Sequence, residues 1–192
     1  MLYPPVRTVA PAATPVTLAE AKAQCNVNWA DDDVLLNRLI AVATEHLDGW
    51  DGILGRCLVD QVWRQDFERF CRRLELPFVA KAPIIVTWRD EAGVETIVGG
   101  SNYTLLRDAF GSRVQFLSDY GFPSPVAEFL PLSVTFTSGY GGAAEVPAPI
   151  KHAMLVAIGH WYENREAVNI GNIVNTLPLS FADLISPYRR YA

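Results

Sequence analysis

Cysteine is scarce in this sequence, and so are histidine, positive charge and long apolar runs. The three cysteines, Cys25, Cys57 and Cys71, are odd in number and show no CxxC spacing, which argues against a disulfide framework or a structural zinc site. Reduced thiols in an intracellular assembly are the simpler reading. Sixteen Lys and Arg stand against 21 Asp and Glu, a net charge of −5, so the basic footprint of a nucleic-acid binder is missing. The densest basic clusters, Arg69 with Arg72 and Arg73, then Arg189 with Arg190, are short. The longest apolar run is about seven residues near Met154, against the ~20 needed to span a bilayer. No basic-then-apolar leader is visible either, so a soluble chain with no membrane partner is expected. The common catalytic signatures are also missing: there is no G-x-S-x-G and no H-E-x-x-H. "SGYGG" at 138–142 lacks the Lys and the spacing of a phosphate loop and reads as a tight strand-to-helix turn.

What the chain does have is material for a core. Half of its 192 residues are hydrophobic and 19% are charged, the balance of a folded domain. Residues 1–16 carry four prolines and few charges and read as an extended arm. Thr17 and Glu20 then form a capping box that opens a short helix reaching about Cys25. Asp31 is the expected cap of a second helix, with Asp32 and Asp33 in its first turn, where the macrodipole favours negative charge. Leu36, Leu39, Ile40, Ala43, Leu47 and Trp50 give that helix an apolar stripe about five turns long, and Gly49, Gly52 and Gly55 end it. The same three aspartates as a metal cluster is the weaker reading, because neighbouring helical side chains diverge.

From Cys57 to Gly139 the period changes to that of strands. Val59, Trp63 and Phe67 fall on one face of a first strand, and a hairpin is predicted around Ala92 and Gly93. Leu132, Val134 and Phe136 alternate with Ser133, Thr135 and Thr137. About six strands are expected, in a mostly antiparallel sheet or small sandwich. The helical period returns after Pro147 and Pro149, which suit a first turn. Ile150, Ala153, Met154, Ala157, Ile158 and Trp161 make one core-facing stripe. A last short helix is expected from Ser180. The reading is thus an α+β chain, a bundle of about four helices from both chain ends with an inserted antiparallel β region. Its segments are a Pro-rich arm (1–16), a helical layer (17–55 and 147–192) and a β-rich insertion (56–146), in a single structural unit.

"HWYENREAV" at 160–168 concentrates polar chemistry at the end of the third helix. His160 and Glu163 share a face and His152 lies two turns earlier, so a metal-dependent enzyme centred on these three residues is one reading. A His or Glu beside Trp161 and Tyr162 at a helix end is more often a satisfied structural or interface group. The residues favour that alternative, which requires no metal and no cofactor.

Taken in order, "VTLAEAK", "DDDVLLNRLIAVATEHLDGW", "LELPFVAKAPIIVTWRDEAG", "SVTFTSGYG", "VPAPIKHAMLVAIGHWYENREAV" and "LISPYRRY" resemble the head–tail connector (adaptor) proteins of long-tailed bacteriophages, prophages and gene transfer agents. The resemblance runs over about residues 15–190. It implies a non-enzymatic virion protein that assembles in the host cytoplasm as a ring of about twelve copies below the portal protein. Such a ring meets the next neck or tail protein, the stopper, and lets DNA pass through its lumen without sequence-specific binding. Glu163, Arg165 and Glu166 become candidates for pairing between subunits. Tyr188, Arg189, Arg190 and Tyr191 become candidates for docking on the portal, since Tyr and Arg make good interface anchors. The Pro-rich arm and the segment Ala167 to Pro178 would reach across to neighbouring subunits. Another neck or tail-completion protein, such as a tail terminator or a stopper, is a third reading beside the metal-dependent enzyme, but the long helices at both ends fit the adaptor better. Two stretches depart from the pattern: the leader is longer than expected, and "DGWDGILGRC" carries extra residues where a short turn is usual.

Overall fold

Thr17 opens the first helix as its capping box predicts. The computed structural model describes residues 3–108, 111–164 and 178–190. Where the sequence suggests one structural unit, the chain divides into two. Met1–Pro11 with Asp60–Gly139 form a β unit, and Ala12–Val59 with Tyr140–Ala192 form a helical unit.

In the helical unit, α1 (Leu18–Gln24) has the Thr17 hydroxyl accepting the Glu20 amide, while the Glu20 carboxylate accepts the Thr17 amide at 2.7 Å. Each bond satisfies an amide that the first helical turn leaves without an intrahelical partner. The helix α2 (Asp33–Leu47) starts one residue later than expected. Asp32, not Asp31, is its N-cap, and the Asp32 side chain makes no cap bond. That carboxylate is engaged elsewhere, by Trp29 Nε1 at 3.1 Å and the Tyr162 hydroxyl at 2.7 Å. Asp33 instead pairs with Lys22 at 2.6 Å, which ties the start of α2 to α1. Fifteen residues make α2, about four turns and not five. Leu36, Ile40, Ala43 and Leu47 are buried as the stripe requires, whereas Trp50 lies beyond the helix end and is exposed.

The helix α3 (Ala148–Glu163) follows Pro147, with Pro149 in its first turn, where a missing amide costs no intrahelical bond. Its predicted stripe is the core: Ile150, Ala153, Met154, Ala157 and Ile158 are buried, and Trp161 packs against them. Contacts join α3 to α1, α2 and α4 (Leu179–Ile185). The last of these starts one residue before the expected Ser180, after Pro178, and its Phe181 and Ile185 complete the core. Burial of each such side chain stabilises the fold by roughly 1.5–3 kcal/mol.

Glu20 also meets Lys151 of α3 at 2.8 Å. This ion pair and the Thr17 amide hold its carboxyl at about 2, against an ordinary 4.5. A depressed carboxylate stabilises the fold above its unfolded pKa, and that contribution is lost as pH falls through the folded value. The side chain is 37% exposed, so after solvent screening the contribution is about 1 kcal/mol. Glu20→Gln is therefore expected to lower stability to urea by about that much at neutral pH. The gap to the native chain should close progressively below pH 4.5 and be gone near pH 2. A gap that stays constant over this range would contradict the assignment.

In the β unit, the described residues form eight strands where six are expected, all paired antiparallel: β1 (Val6–Val9), β2 (Gln61–Phe67), β3 (Arg73–Leu76), β4 (Ala80–Arg89), β5 (Glu95–Ile97), β6 (Tyr103–Arg107), β7 (Ser112–Phe116) and β8 (Leu132–Ser138). They form a five-stranded sheet in the order β1-β2-β8-β4-β5 and a three-stranded sheet in the order β3-β7-β6. The arm expected at 1–16 is thus in part an edge strand, paired with β2 through a bulge between Arg7 and Val9. The inward face of β2 carries Gln61, Trp63 and Gln65, with Phe67 only half-buried and Val59 outside the strand. Gln65 is fully buried yet useful, because its Nε2 donates to the Tyr3 carbonyl at 2.9 Å and holds the N-terminal segment. In β8 the predicted alternation holds, with Leu132, Val134 and Phe136 inward. The two sheets meet where the Ser112 hydroxyl accepts the Ala80 amide at 2.8 Å and the Tyr103 hydroxyl donates to the Ile84 carbonyl.

Candidate assembly surfaces

The end of α3 resolves the chemistry of "HWYEN". Trp161 and Tyr162 pack against the helical core, and the Tyr162 hydroxyl reaches Asp32 at the start of α2. Asn164 closes the helix twice over, its amide and its Nδ2 both donating to the His160 carbonyl, at 3.0 and 2.8 Å. Glu163 is exposed at this end. It faces Cys25, whose thiol is pushed up first by burial and then by the Glu163 charge. These groups are those of a satisfied helix terminus with one outward carboxylate. His152 is exposed and His160 half-buried. Among the described residues, no group of three His, Cys, Asp or Glu is placed to hold a metal ion. The structure therefore does not assemble the alternative centre of His152, His160 and Glu163. Arg165 and Glu166, expected to pair between subunits beside Glu163, lie outside the described residues, as does the segment up to Leu177.

The C-terminal candidates are placed differently from expectation. Tyr188, in a 3₁₀ turn at Ser186–Tyr188, is half-buried against the helical core. Its carbonyl accepts Arg56 Nε at 2.9 Å, and the Arg190 amide donates to the Leu54 carbonyl at 2.9 Å. Arg189 Nε reaches the Ile53 carbonyl at 3.4 Å. Tyr188, Arg189 and Arg190 are thus anchored within the helical unit on the stretch 48–58, with Arg189 the most exposed of the three and Tyr188 and Arg190 half-buried. Tyr191 lies outside the described residues.

The extra residues of "DGWDGILGRC" are what receives the C-terminus. The Asp48 carboxylate accepts the Leu58 amide at 2.6 Å, the Gly49 amide donates to the Arg56 carbonyl, and the Ile53 amide donates to the His46 carbonyl. Leu54 and Leu58 are fully buried in consequence. Burial pushes the Tyr140 hydroxyl up, and the neighbouring Arg56 charge opposes that shift. In sequence the only signal of this knot is its three glycines, and Gly55 does sit at φ +59 against Arg190.

The described polar groups at the end of α3 and on the stretch 48–58 are largely engaged in internal bonds, and the fold is that of an α+β protein. The chain belongs to the phage gp6-like head-tail connector protein family, whose model matches residues 15–68 and 124–189. The match passes over 69–123, which hold β3 to β7. No curated protein matches the chain. Among solved structures, a chain in the neck of an empty gene transfer agent particle computed with C6 symmetry shares the fold. Its TM-score is 0.77 at 20% identity, over 98% of this chain and 96% of that one. A chain of the native gene transfer agent virion gives 0.75 at 21%, over 98% and 96%. One from the native neck computed with C12 symmetry gives 0.71 at 21%, over 100% and 96%.

No helix among the described residues is long and apolar enough to cross a membrane.

Proposed function

We propose that the chain is the adaptor of a virion neck, a non-enzymatic ring seated between the portal protein and the next neck or tail protein. The observation that carries this is the family match, which covers both chain ends and therefore the whole helical core. The full-length likeness to neck chains resolved with six-fold and twelve-fold symmetry supports a closed ring and suits a count of about twelve. DNA would pass through the lumen without sequence-specific contact, a role compatible with the net charge of −5, since a strongly basic lumen would grip phosphate. Glu163, Arg165 and Glu166 at the end of α3 serve this reading as pairing residues between subunits. For portal docking, Tyr188, Arg189, Arg190 and Tyr191 serve this reading as the anchor candidates. Native mass spectrometry of the chain with portal protein tests the proposal, with a metal-free closed ring bound to the portal as the expected species.

A further inference from the structure

Two ends of the β unit carry unpaired charge of opposite sign. Pairing of Ala80 with Ser138 and of Trp88 with Leu132 sets the span between them, six residues of β8 or about 20 Å. At the Trp88 end, the β4–β5 turn and the segment 127–131 are bound into one tip. The Ala127 amide donates to the Arg89 carbonyl at 3.0 Å, and the Arg89 amide donates to the Pro131 carbonyl at 2.8 Å. The Asp90 carboxylate accepts the Ala92 and Val94 amides, both at 2.9 Å, and shapes the turn.

From this frame three apolar side chains stand in solvent: Val94 at 57%, Ile97 at 68% and Phe129 at 79% exposure. Leu130, beside Phe129, has φ +46, a left-handed conformation that costs a leucine on the order of 1 kcal/mol. The aromatic is therefore held outward by a strained backbone between two hydrogen bonds, which is how a preorganised anchor is built. Around it the charge is negative. Glu95 takes up Arg89 at 2.6 Å, while Glu91 and Glu128 have no ion-pair partner among the described residues.

At the Ala80 end the three-stranded sheet shows the opposite sign. Leu106 stands across from Arg113, and Arg107 across from Ser112, whose hydroxyl accepts the Ala80 amide. Neither Arg107 nor Arg113 is ion-paired among the described residues. Of the nearby acids, Glu75 is engaged by Arg73, and the Asp108 carboxylate accepts the Gly111 amide. Leu106 supplies an exposed apolar spot beside the two arginines.

An apolar knob in an acidic rim and an apolar spot between free arginines are complementary patches on one molecule. Two different patches that fit each other make head-to-tail contacts, which close into a ring when the rotation allows. We propose that the Phe129 tip of one copy docks on the Arg107–Arg113 face of the next, and that this contact is a joint of the ring. The inference rests on the ring reading above. Val94, Ile97, Leu106, Arg107 and Arg113 lie in 69–123, which the family model passes over, whereas Phe129 and Glu128 lie in the matched stretch 124–189.

The test places the photo-reactive amino acid p-benzoylphenylalanine at position 129 of the full chain, within assembled particles. Irradiation is expected to give a covalent dimer of the chain, with position 129 joined to the segment 104–113. Within one copy the Ala80 end, where Arg107 and Arg113 stand, is about 20 Å along β8 from the Trp88 end, so an adduct at Arg107 or Arg113 reports a neighbour. An adduct to another protein, a dimer joined elsewhere, or incorporation without any adduct would overturn the joint. Absence of the native chain from the neck would overturn the ring reading itself. Independently, Glu91→Arg with Glu128→Arg should reduce incorporation about tenfold. Adding Arg107→Glu and Arg113→Glu to the same chain should restore it, and equal loss in both chains would count against the pairing.

Discussion

Gly52→Ala is expected to destabilise the helical unit by about 3 kcal/mol or more. A β carbon at this position would lie 2.4 Å from the Asp48 carbonyl oxygen and 2.5 Å from the carbonyl carbon and oxygen of Leu47. All three are backbone atoms at the end of α2, so no side chain can swing aside to make room. The knot of 48–58 would have to open, and with it the bonds from Leu54 and Arg56 that hold the C-terminus. Gly100→Ala is the matched control. Nothing lies within 4 Å of its added β carbon, so its cost should stay within about 0.5 kcal/mol. Urea unfolding followed by far-ultraviolet circular dichroism reads both. A Gly52→Ala chain as stable as the control would mean that the knot is not packed as described.

Phe136→Ala is expected to cost the β unit about 4 kcal/mol. Phe136 is 1% exposed on β8, the middle strand of five, between β2 and β4. Its ring is fully enclosed, and a strand bonded on both sides has little freedom to collapse into the space left by the six lost ring carbons. Loss of transfer energy and the residual cavity add, which places this substitution at the upper end of large-to-small changes. Thr135→Ala on the opposite, half-buried face of the same strand should cost under about 1 kcal/mol. Comparable losses at the two positions would contradict the assignment of the buried face.

Local chemistry was legible in the sequence wherever one element decides it. The Thr17–Glu20 box, the stripe from Ile150 to Trp161, the hairpin at Ala92–Gly93 and the alternation along β8 are each written within a few residues of the bonds they make. What the sequence hid depends on distant partners. β1 has four exposed residues between prolines and no periodic pattern; it is a strand only because β2 presents an edge to it. Asp32 stands at the N-cap without a side-chain cap bond, its carboxylate taken by Tyr162, 130 positions away. Gln61 and Gln65 share the inward face of β2 with Trp63 by alternation, but their polarity gives no hint that both are buried. The knot at 48–58 looked like surplus length and is the seat of the C-terminus.

The surface candidates divided in the same way. "HWYENREAV" advertised itself by density, and its described part is a closed helix end with Glu163 outward. The tip around Phe129 gave no such signal, since neither an exposed aromatic nor a left-handed leucine is marked in composition or period. It is built by tertiary bonds, from Arg89 to both ends of the segment 127–131.

The measurement that bears most directly on the account is native mass spectrometry of the purified chain mixed with portal protein, read for copy number and bound metal together. The account expects a metal-free closed ring of about twelve copies on the portal. A monomer or dimer that ignores the portal and carries one metal ion per chain, lost in His160→Ala, would contradict it.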